Sequence, residues 1–211
     1  MIPRNQYEKD LEEHIMNIPI NDLLLVSEGG YLYFNDKNLN VAEKATAVAF
    51  LDNKIWYGCE NGAIFCGDGE KYEKKASRNR CILGLFPHKT EMYDFVEQNH
   101  RQVAVYLTKS DEFVELINIP EEIRGSISAK ALDMEEPTNM KNTLFTFSRV
   151  RFEGEKPVVI PPCRKLLISS NYMYGIPQES GIFCLNLRNY KSKIAFSGKV
   201  RDYAICPNGW R

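Results

Sequence analysis

No stretch of this chain stays apolar for long. The runs Leu23–Val26 and Ala47–Leu51 fall far short of the roughly 20 residues that cross a bilayer. The opening residues, Met1-Ile2-Pro3-Arg4-Asn5-Gln6-Tyr7-Glu8-Lys9-Asp10, lack the apolar centre of a signal peptide and are too acidic for a transit peptide. No Asn-x-Ser/Thr acceptor occurs. The expected setting is cytoplasmic, with no membrane partner. Charge of one sign is equally scarce. With 27 basic and 28 acidic residues the formal net charge is −1, so the molecule as a whole exerts no pull on nucleic acid.

Clusters that carry chemistry are missing too. The three histidines, His14, His88 and His100, lie on separate segments, and neither His-x-x-x-His nor Cys-x-x-Cys occurs. A metal centre is therefore not expected, and the same scarcity weighs against a Ser-His or Cys-His nucleophile. The stretch Gly67-Asp68-Gly69-Glu70-Lys71 lacks the spaced glycines and the Lys-Ser/Thr pair of a phosphate loop and reads as a tight turn. No residue is assigned a catalytic, cofactor-binding or metal-binding role, no cofactor is implied, and the balance leans away from an enzyme.

Six cysteines would permit disulfides. Cys59 and Cys66 flank Asn61-Gly62, and a two-residue loop there sets Cys59 opposite Ile64 and Cys66 opposite Tyr57. The pair is then diagonal, with backbones about 7–8 Å apart, too far for an easy bridge. All six are expected to be reduced, mostly buried, small hydrophobes.

What is present is an ordinary globular composition, 44% hydrophobic and 26% charged. Residues 5–16 carry a helical stripe, Tyr7, Leu11 and Ile15, ended by Pro19. Residues 1–20 are accordingly expected to form an arm, packed on the body or docking a partner, ahead of one domain over 21–211.

From Asn21 the pattern is that of strands. Leu23–Val26, Gly29-Gly30 and Tyr31–Phe34 read as a hairpin. Ala45–Leu51 and Lys54–Cys59 follow, then Asn61-Gly62 and Ala63–Cys66. This last hairpin is apolar on both faces, with Ile55, Tyr57, Cys59 and Ile64 expected on one and Trp56, Ala63 and Phe65 on the other. A strand pair buried on both sides belongs inside a stack of sheets.

The segment Asn53-Lys54-Ile55-Trp56-Tyr57-Gly58, followed by Gly62-Ala63-Ile64-Phe65-Cys66, returns later in the chain. Its second copy is Asn171-Tyr172-Met173-Tyr174-Gly175 followed by Gly181-Ile182-Phe183-Cys184. The copies start 118 residues apart, close to three units of roughly 40 residues, the length of a four-stranded blade. One intermediate unit is expected from Ile82–Phe86, Glu91–Glu97, Val103–Thr108 and Phe113–Ile117. Another is expected from Ser126–Leu132, Thr143–Val150 and Pro157–Ile160. Ser192–Phe196 supplies a last outer strand, and the tail Val200–Cys206 matches the strand that opens each unit. The first hairpin lacks such a strand, so the two chain ends are expected to pair and leave no long open edge.

On these repeats and complementary ends the chain resembles the β-propeller superfamily, in the WD40-like or quinoprotein-like sense, over residues 21–211. The resemblance implies an all-β disc of about five four-stranded blades closed by its terminal strands. Such discs commonly serve as interaction scaffolds, so a protein partner bound through loops is the leading expectation. Five-bladed propellers also include glycoside-processing enzymes and lectins. That alternative points to Asp52, Asp94, Asp133 and Asp202 as channel carboxylates, and to Tyr31, Tyr33, Trp56, Tyr57, Tyr172 and Tyr174 as a sugar-stacking face, leaving a glycan or small-molecule ligand open. The basic stretch Lys71–Arg80, with Lys71, Lys74, Lys75, Arg78 and Arg80, reads as a solvated outer strand rather than an RNA-binding patch.

Overall fold

The computed structural model describes residues 23–35, 37–99, 102–124, 147–150, 158–169, 172–177 and 181–206. The arm over residues 1–20, the strand at Ser126–Leu132 and Asp133 lie outside them. The described residues form four antiparallel sheets. Sheet I contains β1 (Leu23–Ser27), β2 (Leu32–Phe34) and β3 (Lys37–Asn38). Sheet II contains β4 (Ala45–Leu51), β5 (Lys54–Cys59), β6 (Ala63–Gly67) and β7 (Tyr72–Ser77). Sheet III contains β8 (Ile82–His88), β9 (Glu91–Asn99), β10 (Gln102–Leu107) and β11 (Glu112–Phe113). Sheet IV contains β12 (Phe147–Val150), β13 (Val158–Ser169), β14 (Tyr172–Pro177), β15 (Ile182–Asn186) and β16 (Ser192–Phe196).

The last strand, β17 (Val200–Ile205), does not join sheet IV. It enters sheet I beside β1, in the order β17-β1-β2-β3. Leu23 faces Ile205, Leu24 faces Ala204, Leu25 faces Tyr203 and Val26 faces Asp202. The two ends of the described chain thus complete one four-stranded sheet, as the complementary sequence patterns predict.

The sheets stack face to face through shared apolar clusters. Leu24, Val26 and Leu32 of sheet I meet Val48, Ile55, Tyr57 and Cys59 of sheet II. The opposite face of sheet II, with Trp56, Ile64 and Cys66, meets Ile82, Leu85, Met92 and Val96 of sheet III. The other face of sheet I, with Leu23, Leu25 and Tyr203, meets Tyr174, Ile176, Ile182 and Cys184 of sheet IV. The series therefore runs IV–I–II–III, an all-β arrangement consistent with propeller architecture.

The described residues hold four sheets against the expected count of about five. Of the three strands assigned to a separate fourth unit, the described parts of two, Phe147–Val150 and Val158–Ile160, belong to the last sheet. Phe147 pairs with Cys163 and Val150 with Val158, and β13 continues through Leu166 to pair with β14. Pro161-Pro162 reads as a break in the sequence, because proline cannot donate to a ladder. It is accommodated where the β12 register slips between the Phe147–Cys163 and Arg149–Val159 pairs.

The turn at Asn61-Gly62 also differs from expectation. Gly62 N–H donates to the Cys59 carbonyl (3.1 Å), and Asn61 Oδ1 accepts from Ala63 N–H (3.1 Å). This is a three-residue loop closed by a glycine at φ 86°, not a two-residue turn. The register moves by one, so Cys66 faces Trp56 and Phe65 faces Tyr57. A one-residue slip sends every side chain of β6 to the other face. Ile64 and Cys66 therefore point to sheet III, while Cys59 and Ala63 point to sheet I. Cys59 and Cys66 lie on opposite sides of the sheet. The same turn closes β1 and β2, where Gly30 (φ 83°) donates to the Ser27 carbonyl at 3.0 Å.

The repeat holds in space at its sequence spacing. Ile64 and Ile182 each precede a register shift against the outer strand, at Ile64/Phe65 and Ile182/Phe183. One strand of each sheet carries a register shift: Ala45/Ala47 in β4, Ile82/Gly84 in β8, Cys163/Leu166 within β13, and around Arg201 in β17. An added residue sharpens local twist and re-aims the neighbouring side chains.

A methyl group at Gly62 would overlap the Arg78 carbonyl, and the position has positive φ. Gly62→Ala is expected to destabilise the fold by more than about 1 kcal/mol. A urea-denaturation midpoint equal to that of the unsubstituted chain would contradict this turn.

Candidate functional site

The charged residues held inside this molecule sit where one sheet meets the next. Asp202 lies just past the β17 bulge and is 5 % exposed. Its Oδ2 accepts from Val48 N–H of sheet II (3.0 Å), and its Oδ1 accepts from Lys165 Nζ of sheet IV (2.6 Å). Lys165 Nζ also donates to the Tyr203 carbonyl (2.7 Å) and lies 5.1 Å from the centre of the Tyr203 ring. The Tyr203 hydroxyl donates to the Tyr174 carbonyl at 2.9 Å. In sheet II, Thr46 sits in the β4 bulge and donates to the carbonyls of Gly58 and of Ile82 in sheet III. Across three successive interfaces, a side chain from a bulged strand thus bonds to a strand of the next sheet.

A second cluster joins sheets II and III. Arg78 follows β7, and its guanidinium grips Asp94 with two bonds, Nε to Oδ2 and Nη2 to Oδ1, both 2.8 Å. Asp94 is fully buried. The Thr108 hydroxyl donates to the same carboxylate at 2.8 Å, and Arg78 also bonds Asp111 and lies 4.7 Å from the centre of the Tyr106 ring. Burial pulls the Arg78 pKa down, but hydrogen bonds to Asp94 and Asp111 outweigh it and leave the guanidinium more firmly charged. Fork-to-fork pairing suits arginine, and lysine would not reproduce it.

This geometry decides how the suggested residues sort. Asp94 and Asp202 each hold their own cationic partner in separate interfaces, and Asp94 lies on the second strand of its sheet, not the first. Asp52 is an exposed turn residue at φ 52°. Among the described residues, Asp52, Asp94 and Asp202 are not brought to one site. Of the aromatics, Trp56, Tyr57 and Tyr174 are buried between sheets, Tyr33 and Tyr172 pack against the cluster joining sheets I and IV, and Tyr31 is 60 % exposed. The basic stretch is divided as well. Arg78 is turned inward, and Lys75 pairs with Glu73 at 2.5 Å. Asp68 holds the Gly67–Lys71 turn by accepting from the N–H groups of Glu70 (3.0 Å) and Lys71 (2.8 Å), which lower its pKa. His88 sits at the end of β8, 4.0 Å from Glu122, while His14 and His100 lie outside the described residues. Among the described residues no three metal-ligating side chains cluster, and no helix is long and apolar enough to cross a membrane.

Sequence reasoning missed Lys165, Thr46 and Tyr203. A weak signal existed for Lys165, a cation abutting the apolar run Leu166–Ile168. None existed for Thr46.

No protein-family model matches the chain, and no curated protein matches it. Solved structures resemble it at low identity. The computationally designed Ika4 protein is 13% identical with a TM-score of 0.29, over 73% of this chain and 72% of that one. BamB from Moraxella catarrhalis is 8% identical with a TM-score of 0.33, over 82% of this chain and 60% of its own. PorZ, a component of the type-IX secretion system of Porphyromonas gingivalis, is 16% identical with a TM-score of 0.36, over 90% and 25%. The chain thus spans less than two thirds of BamB and a quarter of PorZ. Scores this low assign neither family nor activity.

Two outcomes follow from the buried groups. Asp94→Asn leaves the buried Arg78 paired with the exposed Asp111 and should cost about 3 kcal/mol; a chemical-denaturation loss below about 1 kcal/mol would show the clip to be dispensable. The Cys59 thiol is pushed up to about 12, chiefly by burial, and burial likewise pushes Cys184 up to about 11, against an ordinary 9.0. The folded state therefore favours the protonated thiols. Their contribution is complete below pH about 9 and is lost as pH rises through about 11 and then about 12. The melting temperature should fall above pH 9, less steeply in a Cys59→Ala/Cys184→Ala chain; identical slopes would remove the thiols from the account.

Proposed function

We propose that the chain is a small propeller whose ring of sheets is held shut by the β1–β17 pair, and that it works as a non-enzymatic module binding a protein partner through its loops. One observation supports this reading above the others. Adjacent sheets I and II present the same rigid three-residue turn, and each carries a glutamate at the same place. Glu28 N–H donates to the Lys199 carbonyl and Glu60 N–H to the Lys44 carbonyl, both at 3.1 Å. Their carboxylates stand in solvent beside cations, Glu28 at 3.4 Å from Lys199 and Glu60 at 3.9 Å from Arg201. The buried ion pairs are engaged in joining sheets, whereas these two turn glutamates face outward. Paired charges on a rigid, repeated frame suit a protein surface of complementary charge better than a small molecule.

The test uses the full chain in its native cells with a photo-crosslinking residue at Tyr31. We expect an adduct with one discrete protein, reduced about tenfold by Glu28→Arg/Glu60→Arg at unchanged melting temperature. A protein adduct indifferent to both substitutions would overturn the loop assignment. Binding of a defined glycan on an array, with no protein adduct, would overturn the class of partner.

A further inference from the structure

The three-residue turns of sheets I and II share a frame but not a chemistry. Gly30 and Gly62 both stand at positive φ and donate to the carbonyls of Ser27 (3.0 Å) and Cys59 (3.1 Å). The residue before that glycine is Gly29 in sheet I and Asn61 in sheet II. The frame therefore forms without an asparagine. The glycine at position 62 is required, because a methyl group there would overlap the Arg78 and Arg80 carbonyls.

An asparagine followed by glycine is prone to lose ammonia. The Gly62 nitrogen gives up its proton and attacks Asn61 Cγ, with no glycine side chain to block the approach. A bond forms between that nitrogen and Cγ, the Cγ–Nδ2 bond breaks, and Nδ2 leaves with the proton as ammonia. Water then opens the cyclic imide at one of its two carbonyls. Opening at Cγ yields aspartate. Opening at the main-chain carbonyl yields isoaspartate, with the backbone running through Cβ and Cγ.

The folded turn holds each group that this reaction must move. The Gly62 N–H is engaged by the Cys59 carbonyl, and Asn61 Oδ1 accepts from Ala63 N–H (3.1 Å). Asn61 Nδ2 donates to Oε2 of Glu43 (3.0 Å), an exposed residue just before β4. The turn is also tied outward. Glu60 N–H donates to the Lys44 carbonyl, and Arg78 N–H donates to the Gly62 carbonyl at 2.8 Å. Arg78 is the same residue whose guanidinium grips Asp94 of sheet III.

We propose that Asn61 is a conditional deamidation site, protected by Glu43 and the Cys59 carbonyl while the turn is closed, and that its conversion loosens the joint between sheets II and III. In aspartate, a carboxylate stands where the Nδ2 donor met Glu43, so like charges face each other. In isoaspartate, the backbone is one methylene longer and cannot meet Cys59, Lys44 and Arg78 at their present spacing. The device is independent of what the module binds.

Peptide mapping of the full chain, incubated native and in urea in the same mildly alkaline buffer, tests the protection. Aspartate and isoaspartate are expected to accumulate at position 61 about 100-fold more slowly in the native chain. Equal rates would overturn the proposal. Glu43→Ala is expected to raise the native rate about fivefold and leave the rate in urea unchanged. Glu43→Gln, whose amide oxygen still accepts, should restore the slow rate; a native rate indifferent to Glu43→Ala would remove the clasp. Hydrogen exchange tests the joint. In Asn61→Asp the Arg78 amide is expected to exchange about tenfold faster, and Glu43→Ala in the same chain to recover part of that change. An Arg78 amide as slow as in the unsubstituted chain, or a gain that Glu43→Ala does not reduce, would overturn the coupling.

Discussion

The molecule depends on one antiparallel seam, the ladder between β1 and β17. Leu23, Leu25 and Tyr203 of this seam look towards sheet IV, while Leu24, Val26 and Ala204 look towards sheet II. Each residue along the seam therefore serves one of two interfaces, by the period-two alternation of a strand. Without β17, sheet I would lose Asp202 and Tyr203, which tie it to sheets II and IV, as well as the backbone partners of β1. The seam is both an element of one sheet and the joint on which two others bear.

Polar contacts at the joints complement this apolar stacking. Face-to-face packing of aliphatic side chains is non-directional and tolerates sliding. The bulged strands supply direction, since Thr46, Lys165 and Asp202 each reach a specific backbone or side-chain atom on the following sheet. A buried charge without its partner is costly, so a slipped alignment would strand Asp94 or Asp202. The apolar clusters supply cohesion; the ion pairs fix the angle and offset at which cohesion is reached.

Much of this was legible from residue order, and the failures have identifiable causes. The tail Val200–Cys206 announced itself by matching Ala45–Leu51 in pattern while the first hairpin lacked an opening strand. The copies around Ile64 and Ile182 are equivalent in space, each preceding a register shift against the outer strand of its sheet. The β6 register was misjudged because Asn-Gly serves a two-residue turn and also the end of a three-residue turn, and only the backbone angle at Asn61 tells them apart. Pro161-Pro162 concealed the continuity of β13. The inward turn of Arg78 was invisible for a different reason: a run of cations does not disclose which member meets a buried carboxylate some 16 residues later. No site geometry was readable at all, because Lys165 and Asp202 are brought together by stacking, not by spacing.

The seam also sets a timetable. During synthesis the hairpin of β1 and β2 emerges well over a hundred residues before its partner strand β17, with one flank of backbone donors and acceptors unmatched in the interval. Contacts between such distant parts of a chain close slowly, and an open strand flank invites pairing with other molecules in the interval. Nascent chains stalled before residue 200 will therefore be sticky at β1 and β2, and crowded translation of this chain will place its demand on chaperones at that hairpin.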